Sequence, residues 1–351
     1  MLSSDELYMH RCIELARMGA GYVAPNPLVG AVLVHKGRII GEGYHQKYGL
    51  AHAEVNCINS VPENDRKLIS RATLYVSLEP CDHFGKTPPC TDLIIQNGIK
   101  KVVIGCLDPF SEVNGKGISK LKKTGIEVVT GIFEQECKEL NKRFFTFHTK
   151  QRPFIILKWA QTANGKMGSD LQERLLISNA NTNRLVHQWR TVEASILIGT
   201  NTALLDDPSL DNRLWSGKSP VRMVLDLSLR LPNSLKLFNR QQPTIIFNRV
   251  KQGEDGNTRF YQLHHETHIV QQILNACFIL NLQSVLVEGG AKLLQSFINA
   301  GLWDETRIIT NETLIINKGL DAPLLKQTNL VKTEKILSDT ITYYTNESVK
   351  Q

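Results

Sequence analysis

Four residues in the first third of the chain have the types and spacing of a metal-dependent hydrolytic site. His52 and Glu54 stand two positions apart, and Cys81 and Cys90 follow them. One imidazole and two thiolates can bind Zn²⁺ and leave its fourth position for water. Because the metal lowers the pKa of that water toward neutrality, the bound hydroxide becomes a nucleophile. Glu54 is predicted to be the catalytic residue, since a glutamate that is not a ligand can carry the proton.

The order of these residues matches the zinc deaminase pattern, in which H-x-E is followed by P-C-x-x-C. Eight residues separate Cys81 from Cys90, where the general pattern has two. The insert contains two prolines and a glycine, so we expect a loop that still lets Cys90 reach the metal. It also places Lys86 beside the site. Asn26, held between two prolines, could read a pyrimidine edge, and His45 faces either substrate or solvent.

The elements that must position these residues alternate between helices and strands. His52 is expected to open one helix, and Cys81 to follow a strand that ends near Leu78. The predicted helices cover residues 5–18, 52–59, 90–97, 117–123 and 134–143. The predicted strands cover residues 29–35, 38–40, 74–78, 102–106 and 127–130. Such alternation predicts an α/β layer structure.

The second half of the chain repeats the α/β pattern after a connector predicted at residues 144–153. Strands are expected at residues 154–158, 195–199, 221–226, 244–247, 284–288 and 306–310, and helices at residues 181–190, 270–281 and 291–300. We therefore predict two domains, 1–148 and 149–351. The polar tail from Ser338 to Gln351 is expected to be partly disordered.

Composition limits the class of protein. The chain has 351 residues, of which 42% are hydrophobic, enough for buried cores and too many for a largely disordered chain. No apolar run reaches the length of a membrane span, and the N-terminus lacks a secretory signal, so a cytoplasmic protein is expected. The seven cysteines are dispersed, which argues against a disulfide framework. The net charge of +7 is spread evenly over both halves and suits anionic small molecules about as well as RNA.

The first half resembles the bifunctional deaminase–reductase family of riboflavin biosynthesis. The stretches that carry the resemblance are Pro25–Gly30, Gly41–His45, His52–Glu54 and Leu78–Cys90, including the long insert. The resemblance implies a cytidine-deaminase-like three-layer domain that deaminates 2,5-diamino-6-ribosylamino-4(3H)-pyrimidinone 5′-phosphate. Zinc hydroxide would attack the amino-bearing ring carbon, and Glu54 would protonate the departing ammonia.

The second half resembles the reductase of the same family, a dihydrofolate-reductase-like α/β domain that uses NADPH. The matching segments are Leu157–Ala160, Gly199–Thr202, Leu205–Leu210 and Val287–Gly290. The resemblance implies NADPH contacts at Thr202, Asp206, Gly290, Ala291, Lys292, Leu293, Leu294, Gln295 and Ser296. It implies substrate contacts at Arg190, Leu210, Arg213 and Glu288. The product would be 5-amino-6-ribitylamino-uracil 5′-phosphate, and the enzyme would be a homo-oligomer without nucleic-acid or membrane partners.

Three alternatives stay open. The family commonly has Ser-x-Asp-Gly where this chain has Thr162 to Gly165, and a family serine and tryptophan align with Arg174 and Leu176, so the reductase could be weakened. A nucleic-acid deaminase with an RNA-binding second domain is disfavoured because aromatic residues make up only 7% of the chain. A structural zinc fold with a binding module gives Glu54 no role, and structural zinc sites normally have four protein ligands.

Overall fold

A computed structural model describes residues 2–84, 88–110, 113–169, 175–265 and 267–347 of the chain. The chain divides into two compact units, Met1–Gln151 and Arg152–Gln351, and each is described by itself. Among the residues described, no helix has both the length and the apolar character needed to cross a membrane.

The first unit contains five strands and six α-helices in its described residues. The strands are β1 (Gly30–His35), β2 (Arg38–Tyr44), β3 (Thr73–Leu78), β4 (Lys101–Cys106) and β5 (Glu127–Thr130). The helices are α1 (Ser4–Arg17), α2 (Ala53–Asn59), α3 (Cys90–Gln96), α4 (Lys116–Lys123), α5 (Glu134–Leu140) and α6 (Lys142–Lys150), with a 3₁₀ segment at Glu63–Arg71.

These strands form one sheet in the order β2-β1-β3-β4-β5. Strands β3, β4 and β5 are parallel, whereas β1 runs antiparallel to β2 and β3. Alternate residues of β1 point to opposite faces, as the pleat of a strand requires. Ala31 and Leu33 pack with α2, α3 and α4, while Val32 and Val34 pack with α1 and α5. The unit is therefore a three-layer α/β structure.

The second unit contains twelve strands and four α-helices in its described residues. The helices are α7 (Ala180–Val192), α8 (Thr200–Asp206), α9 (Ile269–Ile279) and α10 (Ala291–Ala300), with a short 3₁₀ turn at Lys236–Phe238. The strands are β6 (Phe154–Thr162), β7 (Lys166–Ser169), β8 (Ser195–Gly199), β9 (Val221–Leu225), β10 (Thr244–Asn248), β11 (Gly253–Asp255), β12 (Thr258–Gln262), β13 (Ser284–Val287), β14 (Glu305–Asn311), β15 (Gly319–Asp321), β16 (Thr328–Ile336) and β17 (Asp339–Asn346).

Ten of these strands form a sheet in the order β11-β12-β10-β9-β8-β13-β6-β14-β17-β16. The strands from β12 to β14 are parallel, and the outer strands β11, β17 and β16 are antiparallel. Helices α9 and α10 pack on one face, and α7 and α8 on the other. Ligands bind such sheets beyond the carboxyl ends of the parallel strands, which here lie near Gly199, Leu225 and Val287.

The predicted α/β class is confirmed, and the structure differs from the sequence-based expectation in two segments. Residues 144–150 of the predicted connector belong to helix α6 (Lys142–Lys150), with Phe144 and Phe147 buried on its inner face. The tail predicted to be partly disordered contributes β17, whose Ile341 is fully buried. Only residues 348–351 of that tail lie outside the described part of the chain.

Candidate active sites

The first unit brings His52, Cys81 and Cys90 into one cluster. Their ligand atoms all lie within 4.8 Å of one another. The Nδ1 atom of His52 is 3.6 Å from Cys81 Sγ and 3.4 Å from Cys90 Sγ. Tetrahedral zinc with Zn–N and Zn–S bonds of ordinary length needs an N···S separation of about 3.6 Å. The donor set and its spacing therefore fit a zinc ion.

The three residues of this cluster lie at the ends of three neighbouring secondary-structure elements. His52 caps the N-terminus of α2, Cys90 is the first residue of α3, and Cys81 lies just beyond the end of β3. The backbone N–H of Cys90 donates to Cys81 Sγ over 3.4 Å. Helix N-termini favour negative charge, so both helix ends support thiolate ligands.

The two thiols of the cluster differ in acidity. Hydrogen bonding from Cys90 and His52 lowers the pKa of Cys81 to about 4, even though burial opposes ionisation. The same pairing, together with burial and the nearby Glu54, raises the pKa of Cys90. Zinc binds thiolates, so a zinc ion held here would require the Cys90 thiol to give up its proton.

Glu54 lies in the first turn of α2 and its side chain is almost fully buried. Burial raises its pKa above the ordinary glutamate value, while the charge of His52 opposes that shift. Its interaction with the Cys90 side chain also lowers the pKa of Glu54, against the effect of burial. A buried carboxyl group next to the metal ligands, with a raised pKa, is suited to accept and return a proton.

The two predicted pyrimidine contacts lie next to the cluster. The amide nitrogen of Asn26 is 3.1 Å from His45 Nε2, and the His45 and His52 rings are 5.4 Å apart. His45 is buried, which lowers the pKa of its imidazole, so the solvent-facing alternative is excluded. Lys86, the third predicted contact, lies outside the described residues.

Two buried carboxyl groups near the cluster were given no role by the sequence analysis, in which Glu79 stood only within the Leu78–Cys90 motif. Glu79 accepts backbone N–H groups from Asp108, Gly115 and Ile118, and so ties the segment before Cys81 to the loop after β4 and the start of α4. Burial raises the pKa of Asp108 to about 7. The only sequence signal was that each acid directly follows, or nearly follows, a buried strand.

We expect the Cys90→Ala variant to lose its zinc, because two remaining ligands hold the ion far more weakly than three. Metal analysis of the purified chain should fall from about one zinc per chain to a small fraction. Cys57→Ala is the matched control, since Cys57 is a buried core thiol of α2 outside the cluster. Full zinc content in Cys90→Ala would contradict the ligand assignment.

The second unit contains a cavity of about 1250 Å³ at the carboxyl ends of the parallel strands. Its lining includes Thr202 and Asp206 from α8 and Gly290 from the loop after β13. The volume suits a dinucleotide together with a small substrate. The other predicted residues that line the cavity are Ala291, Lys292, Leu293, Ser296, Arg190, Leu210 and Glu288.

The loop after β13 is shaped for close approach to a phosphate. Gly290 has φ +77° and precedes α10, whose first turn receives no side-chain cap. A Cβ on Gly289 would lie 2.9 Å from the Thr202 side chain, so a larger residue there would force that side chain to shift. Backbone N–H groups at such a helix N-terminus bind anions. The loop after β13 and the N-terminus of α10 therefore fit the pyrophosphate of a dinucleotide cofactor.

Sheet register places a buried ion cluster beside this loop. Leu157 pairs with Val287, so Lys158 and Glu288 lie side by side. Arg190 donates two hydrogen bonds of 2.8 Å to the Glu288 carboxylate, and Lys158 Nζ is 3.6 Å from it. Burial alone would raise the pKa of Glu288, but these two cations lower it to about 2. Lys158 was quoted in the sequence analysis only as part of a motif, without a role.

Three predicted residues lie away from the cavity lining. Leu294 is fully buried in the core under α10, and Gln295 hydrogen-bonds the backbone N–H of Leu324. The Arg213 side chain is half exposed and pairs with Asp211. Its backbone N–H donates to the buried His187, so this loop is held from α7.

Comparisons with known proteins match each of the two units to a protein-family model. Residues 2–106 match the family model described as the cytidine and deoxycytidylate deaminase zinc-binding region, and residues 153–333 match the RibD C-terminal domain. Fold and sites together define a zinc-dependent deaminase joined in one chain to an NADPH-dependent reductase. The predicted fold class, both activities and both cofactors are thereby confirmed.

The chain belongs to the RibD family of riboflavin biosynthesis proteins. It is 42% identical to a RibD of Aquifex aeolicus, over 86% of this chain and 85% of that protein. It is 31% identical to RibD of Haemophilus influenzae, over 99% of both. A crystal structure from Thermotoga maritima, of a diaminohydroxyphosphoribosylaminopyrimidine deaminase/5-amino-6-(5-phosphoribosylamino)uracil reductase, covers 98% of this chain and 99% of its own, with TM-score 0.89 and 37% identity.

Proposed function

We propose that the chain catalyses two consecutive steps on one phosphorylated pyrimidine. The domain 1–148 hydrolyses the ring amino group of 2,5-diamino-6-ribosylamino-4(3H)-pyrimidinone 5′-phosphate to a carbonyl and releases ammonia. The domain 149–351 then reduces the ribosyl side chain to ribityl, giving 5-amino-6-ribitylamino-uracil 5′-phosphate. The observation that carries the first step is the His52, Cys81 and Cys90 cluster with Glu54 buried beside it.

In the first step, His52, Cys81 and Cys90 hold the metal, which supplies an activated water when bound. Glu54 would accept a proton at its carboxylate and return it to the departing amine, a role that its raised pKa favours. Asn26 and His45 orient the pyrimidine edge, and Lys86 is proposed to contact the substrate. These residue roles, all directed to a small molecule, leave no role for a nucleic acid. Membership of the RibD family does not favour the alternative of a nucleic-acid deaminase.

In the second step, NADPH supplies the hydride to the sugar C1′ when bound. The Gly290 loop and the first turn of α10, including Lys292, hold its pyrophosphate, and Thr202 and Asp206 complete the cofactor contacts. Arg190, Leu210 and Glu288 face the substrate, with Lys158 added to that set by its place in the ion cluster. We keep Arg213 as a proposed phosphate contact that requires its pair with Asp211 to open.

The chemistry of both sites also suits the cytoplasm, where thiols stay reduced and phosphorylated metabolites are retained. All seven cysteines are free. We propose that the protein acts there, without a nucleic-acid or membrane partner, and as a homo-oligomer. Light scattering of the purified chain tests the last point, and a single-chain mass would reject it.

The two steps separate when the wild-type chain is fed each intermediate in turn. With the diaminopyrimidine phosphate and no NADPH, we expect ammonia release and no further change. With the deaminated pyrimidine and NADPH, we expect a stoichiometric fall in NADPH absorbance without ammonia. Failure of the first reaction would overturn the deaminase proposal. Deamination without any NADPH oxidation would show that the departures at Thr162–Gly165 and Arg174 have cost the chain its reductase activity.

A further inference from the structure

The long insert between Cys81 and Cys90 imposes a geometric requirement on the metal centre. In the general zinc deaminase pattern only two residues separate the paired cysteines, so a single turn of chain fixes their distance. Here eight residues intervene, and closing a longer loop costs more conformational entropy. The two Sγ atoms nevertheless lie 3.6 Å and 3.4 Å from His52 Nδ1. Other contacts must therefore hold the two ends of the insert together.

Three hydrogen bonds join the ends of the insert. The backbone N–H of Cys90 donates to Cys81 Sγ over 3.4 Å, and the backbone N–H of Thr91 donates to the Cys81 carbonyl over 3.2 Å. The Thr91 hydroxyl donates to Asp82 Oδ1 over 2.8 Å. Thr91 is fully buried. The two residues that directly follow the cysteines, Asp82 and Thr91, are thus bonded to one another.

Lys120 adds a charged bridge across the same two ends. Its Nζ atom lies 2.6 Å from Asp82 Oδ1 and 2.6 Å from Asp92 Oδ1. Asp82 directly follows Cys81, and Asp92 lies two residues after Cys90. Without the shared cation, the two carboxylates would repel one another and favour separation of the ends. The three side chains are between 20% and 33% exposed, so solvent screens this bridge less than it screens a fully exposed ion pair.

Helix α4 gives Lys120 a fixed base next to the ligands. Leu121, the next residue of the helix, is fully buried in the core of the first unit. A Cβ on Gly117 would lie 2.1 Å from the Pro80 carbonyl oxygen, so the helix lies directly against the backbone that precedes Cys81. Glu79 accepts two backbone N–H groups at the N-terminus of the same helix. Little ordering is therefore needed for the ammonium group to bridge the two carboxylates.

We propose that Lys120 is a positioning residue of the metal centre and that it acts through Asp82 and Asp92. By bridging these two carboxylates, it holds Cys81 and Cys90 at the separation that one zinc ion requires. Partners outside the ligand set contribute about ten-fold to a hundred-fold to metal affinity when they orient the ligands. The inference rests on the proposed function, because that proposal assigns both cysteines to zinc.

Zinc affinity of the full chain, measured by competition with a coloured chelator, tests the inference. Lys120→Met keeps an unbranched side chain but removes the charge, and it should weaken zinc binding by about ten-fold to a hundred-fold. Lys120→Arg should stay near wild type, because a guanidinium group can donate to both carboxylates. Lys138→Met is the matched control. It removes an ion pair of the same 2.6 Å length, with Glu134 on α5, and should not change the affinity.

A double-mutant cycle separates positioning from a general loss of structure. In an Asp82→Asn chain the bridge is already broken, so Lys120→Met should weaken zinc binding less there than in wild type. Thermal unfolding of each variant should stay cooperative, and NADPH oxidation with the deaminated pyrimidine should be unchanged. Wild-type zinc affinity in Lys120→Met, or an equal loss in both backgrounds, would overturn the inference.

The wild-type chain distinguishes failure of this inference from failure of the proposed function. A wild-type chain that binds no zinc would overturn both. A chain whose zinc affinity depends on Lys120 as expected, but which releases no ammonia from the diaminopyrimidine phosphate, would support the inference and overturn the deaminase function.

Discussion

Replacement of Glu54 by glutamine is expected to abolish ammonia release while the chain keeps its zinc. The amide preserves the shape of the side chain but cannot accept a proton, and proton transfer by a positioned group contributes about 10²- to 10⁴-fold to rate. His52, Cys81 and Cys90 are untouched in this variant, so metal analysis should still find about one zinc per chain. The measurement is ammonia released from the diaminopyrimidine phosphate.

The second activity of the same chain provides an internal control for this variant. Glu54→Gln should oxidise NADPH at the wild-type rate when it is given the deaminated pyrimidine. Glu63→Gln, at an exposed carboxylate of the first unit, should leave both activities unchanged. Deamination by Glu54→Gln at a rate near that of wild type would show that another group carries the proton. Asp108, whose pKa is raised to about 7 by burial, would then be the first candidate.

The second large effect is expected for Glu288→Gln in the reductase unit. Glutamine keeps the volume of the side chain but removes the charge that balances Arg190 and Lys158. Leaving buried charges without their partner costs about 3–5 kcal/mol of unfolding free energy. NADPH oxidation should fall at least about a hundred-fold, because the same carboxylate orients two groups at the substrate end of the cavity.

The acid dependence of stability gives this prediction a second readout. The folded pKa of Glu288 is about 2, below its ordinary value of 4.5. The carboxylate therefore stabilises the fold fully above pH 4.5, and this contribution is lost as the pH falls through about 2. The stability difference between wild type and Glu288→Gln should accordingly shrink below pH 4.5.

A surface pair provides the contrast for the buried cluster. Glu254→Gln breaks an exposed pair with Arg259 and should cost less than about 1 kcal/mol. Ammonia release should be the same in both variants and wild type. A Glu288→Gln chain as stable as Glu254→Gln, with a pH-independent difference from wild type, would show that the cluster contributes no net stabilisation.

Local sequence was sufficient for the metal site and for many of the elements. The predicted strand at 195–199 and the predicted helix at 291–300 have the observed bounds, and the predicted first helix is displaced by one residue at each end. Hydrophobic periodicity and caps are local signals, which is why they succeed there. The types and order of His52, Cys81 and Cys90 likewise specified a ligand set before any geometry was known.

The structure differs from the sequence-based expectations where contacts between segments far apart in the sequence decide the local structure. Residues 339–346 look like a polar tail, but they become β17 because β14 offers an antiparallel partner along its length. Residues 142–150 form a helix in which Phe144 and Phe147 are buried in the first unit. A polar segment can be ordered by the sheet that it joins, and composition alone does not reveal that partner.

The sequence by itself determined the chemistry of this protein: which side chains could bind zinc, which glutamate could move a proton, and where a glycine loop could meet phosphate. Only the tertiary structure decided how these groups are supported. Lys158 meets Glu288 through the register of β6 and β13, and Glu79 meets Gly115 across the space between a strand and a helix. Each of these contacts follows from the packing of distant parts of the chain. Local residue patterns carry no signal for such contacts.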